Sequence, residues 1–198
     1  MRTLIVLLFV TLAATVFGQA REATILFNDS TSVKGFAEIK KEKIYFKASP
    51  DSEVTEWSFD MAYGLVFSGY GYSEKYVYVY PGKKAKKPIL MLVVEENFVS
   101  LYKKISFTAE TVYPMNWPLQ NPGQNATIKH YDSTVYYAQR KNETTATDIT
   151  SNFKTDAAIY FTDCEALVAK IKKKEFKKED VLDVVDYYND YCGDEAED

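Results

Sequence analysis

The chain has 198 residues, 46% of them hydrophobic, and a formal net charge of −4 at neutral pH, with 24 basic and 28 acidic side chains. That composition is enough for a core, and its charge excludes the usual basic footprint of a nucleic-acid binder, so no nucleic-acid partner is expected. Two cysteines and one histidine cannot supply four soft ligands without recruiting carboxylates, so no metal site is expected.

Met1 and Arg2 precede an almost unbroken apolar run from Leu4 to Phe17, which ends at Gly18-Gln19-Ala20. A positive start, an oily centre and small closing residues form the pattern of a secretory signal peptide. The run has 14 residues, short of the roughly 20 that a membrane-spanning helix needs, and Arg21 and Glu22 follow at once. Residues 1–20 are therefore expected to be a signal peptide cut after Ala20, with a cut after Gly18 as the second choice. The mature chain then carries a net charge of −5 and is expected to be exported: periplasmic, outer-membrane-associated or secreted. No later apolar run approaches spanning length, so no transmembrane segment is expected in the mature chain.

From Thr24 to about Tyr137 apolar and polar residues alternate over short stretches broken by turn residues, which predicts consecutive strands. Ala23 to Phe27 forms the first and stops at Asn28-Asp29-Ser30. Gly35 to Ile39 and Lys43 to Lys47 read as a hairpin with Lys40-Lys41-Glu42 at its tip. Glu56 to Phe59, Gly64 to Phe67 and Lys75 to Tyr80 follow. Ile89 to Val94 and Phe98 to Lys103 flank Glu95-Glu96-Asn97, a second hairpin pattern. The spacers are too short for crossover helices, so the pairing is antiparallel. Pro114, Pro118, Pro122 and Gly123 place a long surface loop at 107–132, and Ser133 to Ala138 resumes a strand. Beyond it the period becomes helical: Leu167, Val168 and Ile171 recur at that spacing, as do Val181, Val184, Val185 and Tyr188. Thr162 with Glu165 reads as a capping box, Lys173 to Lys177 joins the two helices, and Phe153 to Tyr160 is a weaker helical stretch. The expected fold class is α+β. An antiparallel β body over 21–140, a sheet or a partly open barrel, precedes an antiparallel helical hairpin in 141–198 with an acidic tail.

Cys164 falls in the first turn of one predicted helix and Cys192 just past the end of the other, so antiparallel helices bring the two together. In an exported protein a disulfide is the leading reading, against two unpaired thiols. Closing about 29 residues is worth about 3–4 kcal/mol in the chain-entropy model.

Catalytic patterns are sparse. His130, the one histidine, sits in the polar segment Thr127 to Tyr131 with no Gly-x-Ser-x-Gly motif beside it, and reads as a surface loop residue. With eight glycines and no phosphate-cradling loop, nucleotide chemistry has no support and no cofactor is expected. Glu56, Asp60 and the pair Glu95-Glu96 are the acids open to glycoside chemistry, though Glu95-Glu96 fits a solvated turn. No catalytic residue is assigned. Tyr76, Tyr78 and Tyr80 share a strand face while Val77 and Val79 take the other. They are either an aromatic ligand-binding platform or tyrosines covering a sheet. Lys83, Lys84, Lys86 and Lys87 form a basic loop that fits anionic surfaces, or discourages strand-edge pairing. Asn28, Asn125 and Asn142 open glycosylation-type sequons in turns or loops.

Met91-Leu92-Val93-Val94-Glu95-Glu96-Asn97-Phe98-Val99-Ser100-Leu101-Tyr102-Lys103, Val135-Tyr136-Tyr137, Tyr160-Phe161-Thr162-Asp163-Cys164-Glu165-Ala166-Leu167 and Val184-Val185-Asp186-Tyr187-Tyr188-Asn189 together resemble a family of uncharacterised exported proteins of Bacteroidota. The resemblance covers roughly residues 90–192. Glu96-Asn97 departs from the glycine turn usual there, and the loop at 107–132 is longer than typical. It implies an envelope location and a β body with a closing helical hairpin, and it carries no activity. The functional expectation is an exported, non-enzymatic binding or scaffolding module, with an envelope protein or a glycan as partner. A secreted carbohydrate-active or carbohydrate-binding protein is the alternative.

Overall fold

The structure is a computed structural model that describes residues 20–69, 71–112 and 127–193, without the side chains of 106–112 and 127–132. The chain is β-rich, with ten strands in antiparallel ladders ahead of three α-helices and one 3-10 turn among the described residues. It divides into two compact units, Met1–Glu74 and Lys75–Asp198.

In the first unit, β1 (Arg21–Phe27), β2 (Ser32–Lys40), β3 (Lys43–Lys47), β4 (Thr55–Trp57) and β5 (Ala62–Gly69) lie in the order β4-β3-β2-β1-β5. Two-residue alternation buries Ala23, Ile25, Ala37, Ile44, Phe46, Leu65 and Phe67. The register sets Ile25 opposite Leu65, Ala23 opposite Phe67 and Ala37 opposite Phe46, so these side chains share one face. Each large aliphatic side chain so buried contributes about 1.5–3 kcal/mol over its exposed state. The expected β2–β3 hairpin closes on Lys41 and Glu42, whose φ values of 50° and 62° are both left-handed. Two positive φ values match the right-handed twist of the flanking strands, here without the usual glycine. Gly35 is required by contact instead: a Cβ there would lie 2.1 Å from the Lys47 carbonyl oxygen and 2.6 Å from the Phe46 ring.

In the second unit, β6 (Tyr72–Val79, which begins just ahead of the division), β7 (Ile89–Glu95), β8 (Val99–Val112), β9 (Thr127–Arg140) and β10 (Thr147–Asp148) follow in spatial order. The loop expected over 107–132 is corrected at both ends, because β8 and β9 stay paired from Val99↔Arg140 to Val112↔Thr127. Phe107, Thr108, Thr111 and Val112 on one side and Thr127 and Ile128 on the other are strand formers. The prolines and Gly123 that predicted a loop all fall in 113–126, outside the described residues.

Three helices complete this unit: α1 (Phe153–Tyr160), α2 (Glu165–Lys172) and α3 (Val181–Tyr191), the last entered through a 3-10 turn at Lys178–Asp180. The weakly patterned α1 forms because its start is held by side chains. The Asp148 carboxylate accepts the Thr150 and Ser151 amides at 2.8 and 3.0 Å, and Asp156 accepts the Asn152 amide at 2.9 Å. The Thr162–Glu165 capping box does not form. Thr162 lies in the turn that closes α1, and Cys164 is the N-cap of α2, which makes Glu165 the first helical residue rather than the third. Leu167 and Ile171 of α2 and Val181, Val184, Val185 and Tyr188 of α3 bury against Val99 and Leu101 of β8 and Ala138 of β9. A disulfide joins Cys164 to Cys192 with the Cα atoms 5.9 Å apart.

Candidate functional site

The outer face of β2, β3 and β4 is fixed by the alternation that fills the core beneath it. With Ala37, Ile44 and Phe46 turned inward, Phe36 faces Lys47, Glu38 faces Tyr45, Lys40 faces Lys43, and Tyr45 faces Glu56. Phe36, Glu38, Lys40, Tyr45, Val54 and Glu56 line an open groove of about 500 Å³ on this surface. Its charges are matched in place: the Lys43 ammonium bonds the Glu56 carboxylate, and Lys40 pairs with Glu38 at 2.7 Å. The Tyr45 hydroxyl donates to Glu56 Oε2 at 2.9 Å. The bond from Lys43, then that from Tyr45, hold Glu56 below the usual carboxylate range. The bond to Glu56 in turn raises the Tyr45 hydroxyl above its ordinary value. The one Tyr45 hydroxyl proton is thus committed to Glu56, and the lone pairs left on Glu56 and on the Tyr45 oxygen face outward as acceptors. A glycosidase needs one carboxyl group held protonated as general acid, and the field around Glu56 does the opposite.

Tyr76 and Tyr78 lie on β6 facing Leu92 and Leu90, both half-buried, while Val77 and Val79 sit in a small core with Met91 and Ala146. Tyr80 stands one residue beyond β6, is 39% exposed, and its carbonyl accepts the Gly82 and Ala146 amides. Tyr76 and Tyr78 lie within the strand, and Tyr80 follows it directly. Glu95 and Glu96 have different fates. Glu96, exposed, takes Lys75 at 2.6 Å, whereas Glu95 is half-buried at the end of β7. A slip in the β7–β8 register between Val93 and Glu95 brings Glu95 opposite Leu101, on the face the helices cover. The solvated-turn reading therefore holds for Glu96 and is corrected for Glu95. Asp60 accepts a 3.3 Å bond from Ser58 Oγ at an exposed turn. Lys83, Lys84, Lys86 and Lys87 are all exposed. Asn28 and Asn142 are exposed at turns, whereas Asn125 and the side chain of His130 lie outside the described residues.

Sequence reasoning missed two polar clusters that dock the helices. Arg140, at the end of β9, reaches the Tyr160 carbonyl at 2.9 Å, Asp163 Oδ1 at 2.8 Å and the Tyr188 hydroxyl at 3.3 Å, and stacks 4.5 Å from the Tyr160 ring centroid. The Tyr188 hydroxyl donates to Asp163, and that of Tyr160 donates to Glu143 at 2.8 Å. Burial, then the bond to Glu143, push the Tyr160 hydroxyl far above its ordinary value, so it stays protonated. Asn189 on α3 accepts the Val99 amide at 2.8 Å and donates to Glu95 Oε1 at 2.8 Å and to the Val99 carbonyl at 3.1 Å. These partners are 17 to 94 residues apart in sequence, and no spacing rule pairs them.

Among the described residues no three His, Cys, Asp or Glu side chains converge closely enough to hold a metal ion, and no helix is long and apolar enough to cross a membrane. Fold and groove together define a β-rich protein with a disulfide-bonded helical segment and an open, charge-matched surface site. Compared with known proteins, the chain matches no family model, no curated sequence and no solved structure.

Proposed function

We propose that this chain is an exported, non-enzymatic binding module of the cell envelope, which holds a neutral saccharide in the groove over β2, β3 and β4. The carrying observation is the Lys43–Glu56–Tyr45 cluster, facing Glu38 and flanked by Phe36 and Val54. Small-ligand sites combine an apolar wall with a few placed polar groups that fix orientation, and here carboxylate and phenol oxygens beside Phe36 and Val54 can accept from sugar hydroxyls. The Lys43–Glu56 and Lys40–Glu38 pairs neutralise one another, which favours a neutral ligand over an ionic one. Export is supported by the leader and by a disulfide, which persists in oxidising compartments. The family resemblance adds a bacterial envelope as the setting, with the last two helices as an antiparallel hairpin closed by the bridge. A platform on Tyr76, Tyr78 and Tyr80 is the second reading, favoured by the exposure of Tyr80.

Calorimetric titration with a panel of neutral oligosaccharides tests both readings. Binding that weakens about tenfold in Glu56→Gln, as loss of one charged hydrogen-bond partner predicts, supports the groove, and binding lost only in Tyr80→Ala moves the site to the tyrosines. Hydrolysis of a glycan that disappears in Glu56→Gln would make the chain an enzyme. Absence of any saccharide binding would refute the proposal.

A further inference from the structure

The face that carries the groove does not end at Phe36. Glu22 of β1 stands opposite Phe36 of β2, and Phe36 opposite Lys47 of β3, so the three point outward in one row. On β5, Phe67 turns to the core opposite Ala23, and Ser68, the next residue along, therefore faces outward on the same side as Glu22. Glu22, Phe36 and Ser68, with Tyr72 at the start of β6, line a second open pocket of about 560 Å³. Phe36 lines both pockets and is the wall between them.

The second pocket repeats the chemistry of the first. Tyr72 is 55% exposed and offers an apolar ring with a polar tip. Glu22 is exposed, has no ion-pair partner among the described residues, and can accept hydrogen bonds from hydroxyl groups. Arg21, at the rim, is already engaged: its guanidinium bonds Glu74 at 2.6 Å and lies 4.2 Å from the Phe67 ring centroid, so it is not free to hold an anionic ligand. Neighbouring strands lie about 4.8 Å apart, so four strand steps from Glu56 on β4 to Ser68 on β5 span about 19 Å. A single sugar occupies one pocket, and only an extended ligand of repeating chemistry reaches both.

We propose that the two pockets are adjoining subsites of one channel, and that its ligand is a linear neutral oligosaccharide lying across the strands from β4 to β5 over Phe36. This rests on the saccharide reading of the first groove and adds the length and direction of the ligand.

Calorimetric titration of the protein with homo-oligomers of glucose, galactose, mannose and N-acetylglucosamine, each as dimer and as hexamer, tests it. For the sugar that binds, the hexamer is expected to bind at least about tenfold tighter than the dimer, as joining two subsites in one ligand predicts. Tyr72→Ala should remove that gain and leave dimer affinity unchanged, whereas Glu56→Gln should weaken dimer and hexamer alike. Should Tyr72→Ala disturb the fold, Ser68→Trp, at an exposed position, blocks the same pocket and reads the same gain. Equal affinities for dimer and hexamer, a gain that survives both pocket variants, or dimer binding that depends on Tyr72 would overturn the channel and leave saccharide binding standing. Absence of binding by every oligomer would overturn both.

Discussion

Replacing both Cys164 and Cys192 with alanine removes a cross-link between positions 28 apart in sequence. The chain-entropy relation for a loop of that size gives about 3–4 kcal/mol, through freedom regained by the unfolded chain. The folded state loses little else, since Cys164 is 4% exposed but makes no side-chain capping bond at the start of α2. A loss of that size is a large part of the roughly 5–15 kcal/mol that holds a typical domain folded. With a urea slope of about 2 kcal/mol per molar, the midpoint should fall by about 1.5–2 M. Circular dichroism during urea unfolding measures it, and the reduced wild-type chain should track the double variant. A loss below about 1 kcal/mol, or an unchanged midpoint after reduction, would mean that the bridge does not restrain the unfolded chain as argued.

Two further outcomes follow from the α3 contact. Asn189→Ala leaves the amide of Val99, a fully buried residue, without its partner and should cost about 1–3 kcal/mol in urea unfolding; a cost below about 0.5 kcal/mol would place water there instead. Burial, then the neighbouring Asp186, raise Glu95 above its ordinary 4.5, against a smaller opposing bond from Asn189. A raised carboxyl favours the fold when protonated, so its stabilisation is fully present below the ordinary value and is lost as pH rises through the folded one. Stability should therefore decline across mildly acidic pH by an amount that Glu95→Gln removes, and matching pH profiles for wild type and variant would contradict this.

The strands were legible wherever burial acts on one face. Ile44 and Phe46 point inward and Lys43, Tyr45 and Lys47 outward because a period of two matches the pleat, so both the core and the outer wall of the groove can be read from β3. What alternation could not supply was which strand lies beside Tyr45, and hence that Glu56, 11 positions away, is its partner. The register slip that turns Glu95 toward α3 was hidden for the same reason, since a bulge leaves no mark in composition. Thr162 and Glu165 had the spacing of a capping box, but the turn closing α1 consumed Thr162 before α2 began. The disulfide was readable because helix ends are set by local periodicity, whereas the Arg140 cluster needed the helices already docked on β9.

Backbone amide shifts of the protein, followed as a neutral oligosaccharide is added, test binding in the groove most directly. The account predicts saturable changes confined to residues of β2, β3 and β4, centred on Tyr45 and Glu56. A spectrum unmoved by every saccharide, or changes gathered around Tyr80, would contradict it.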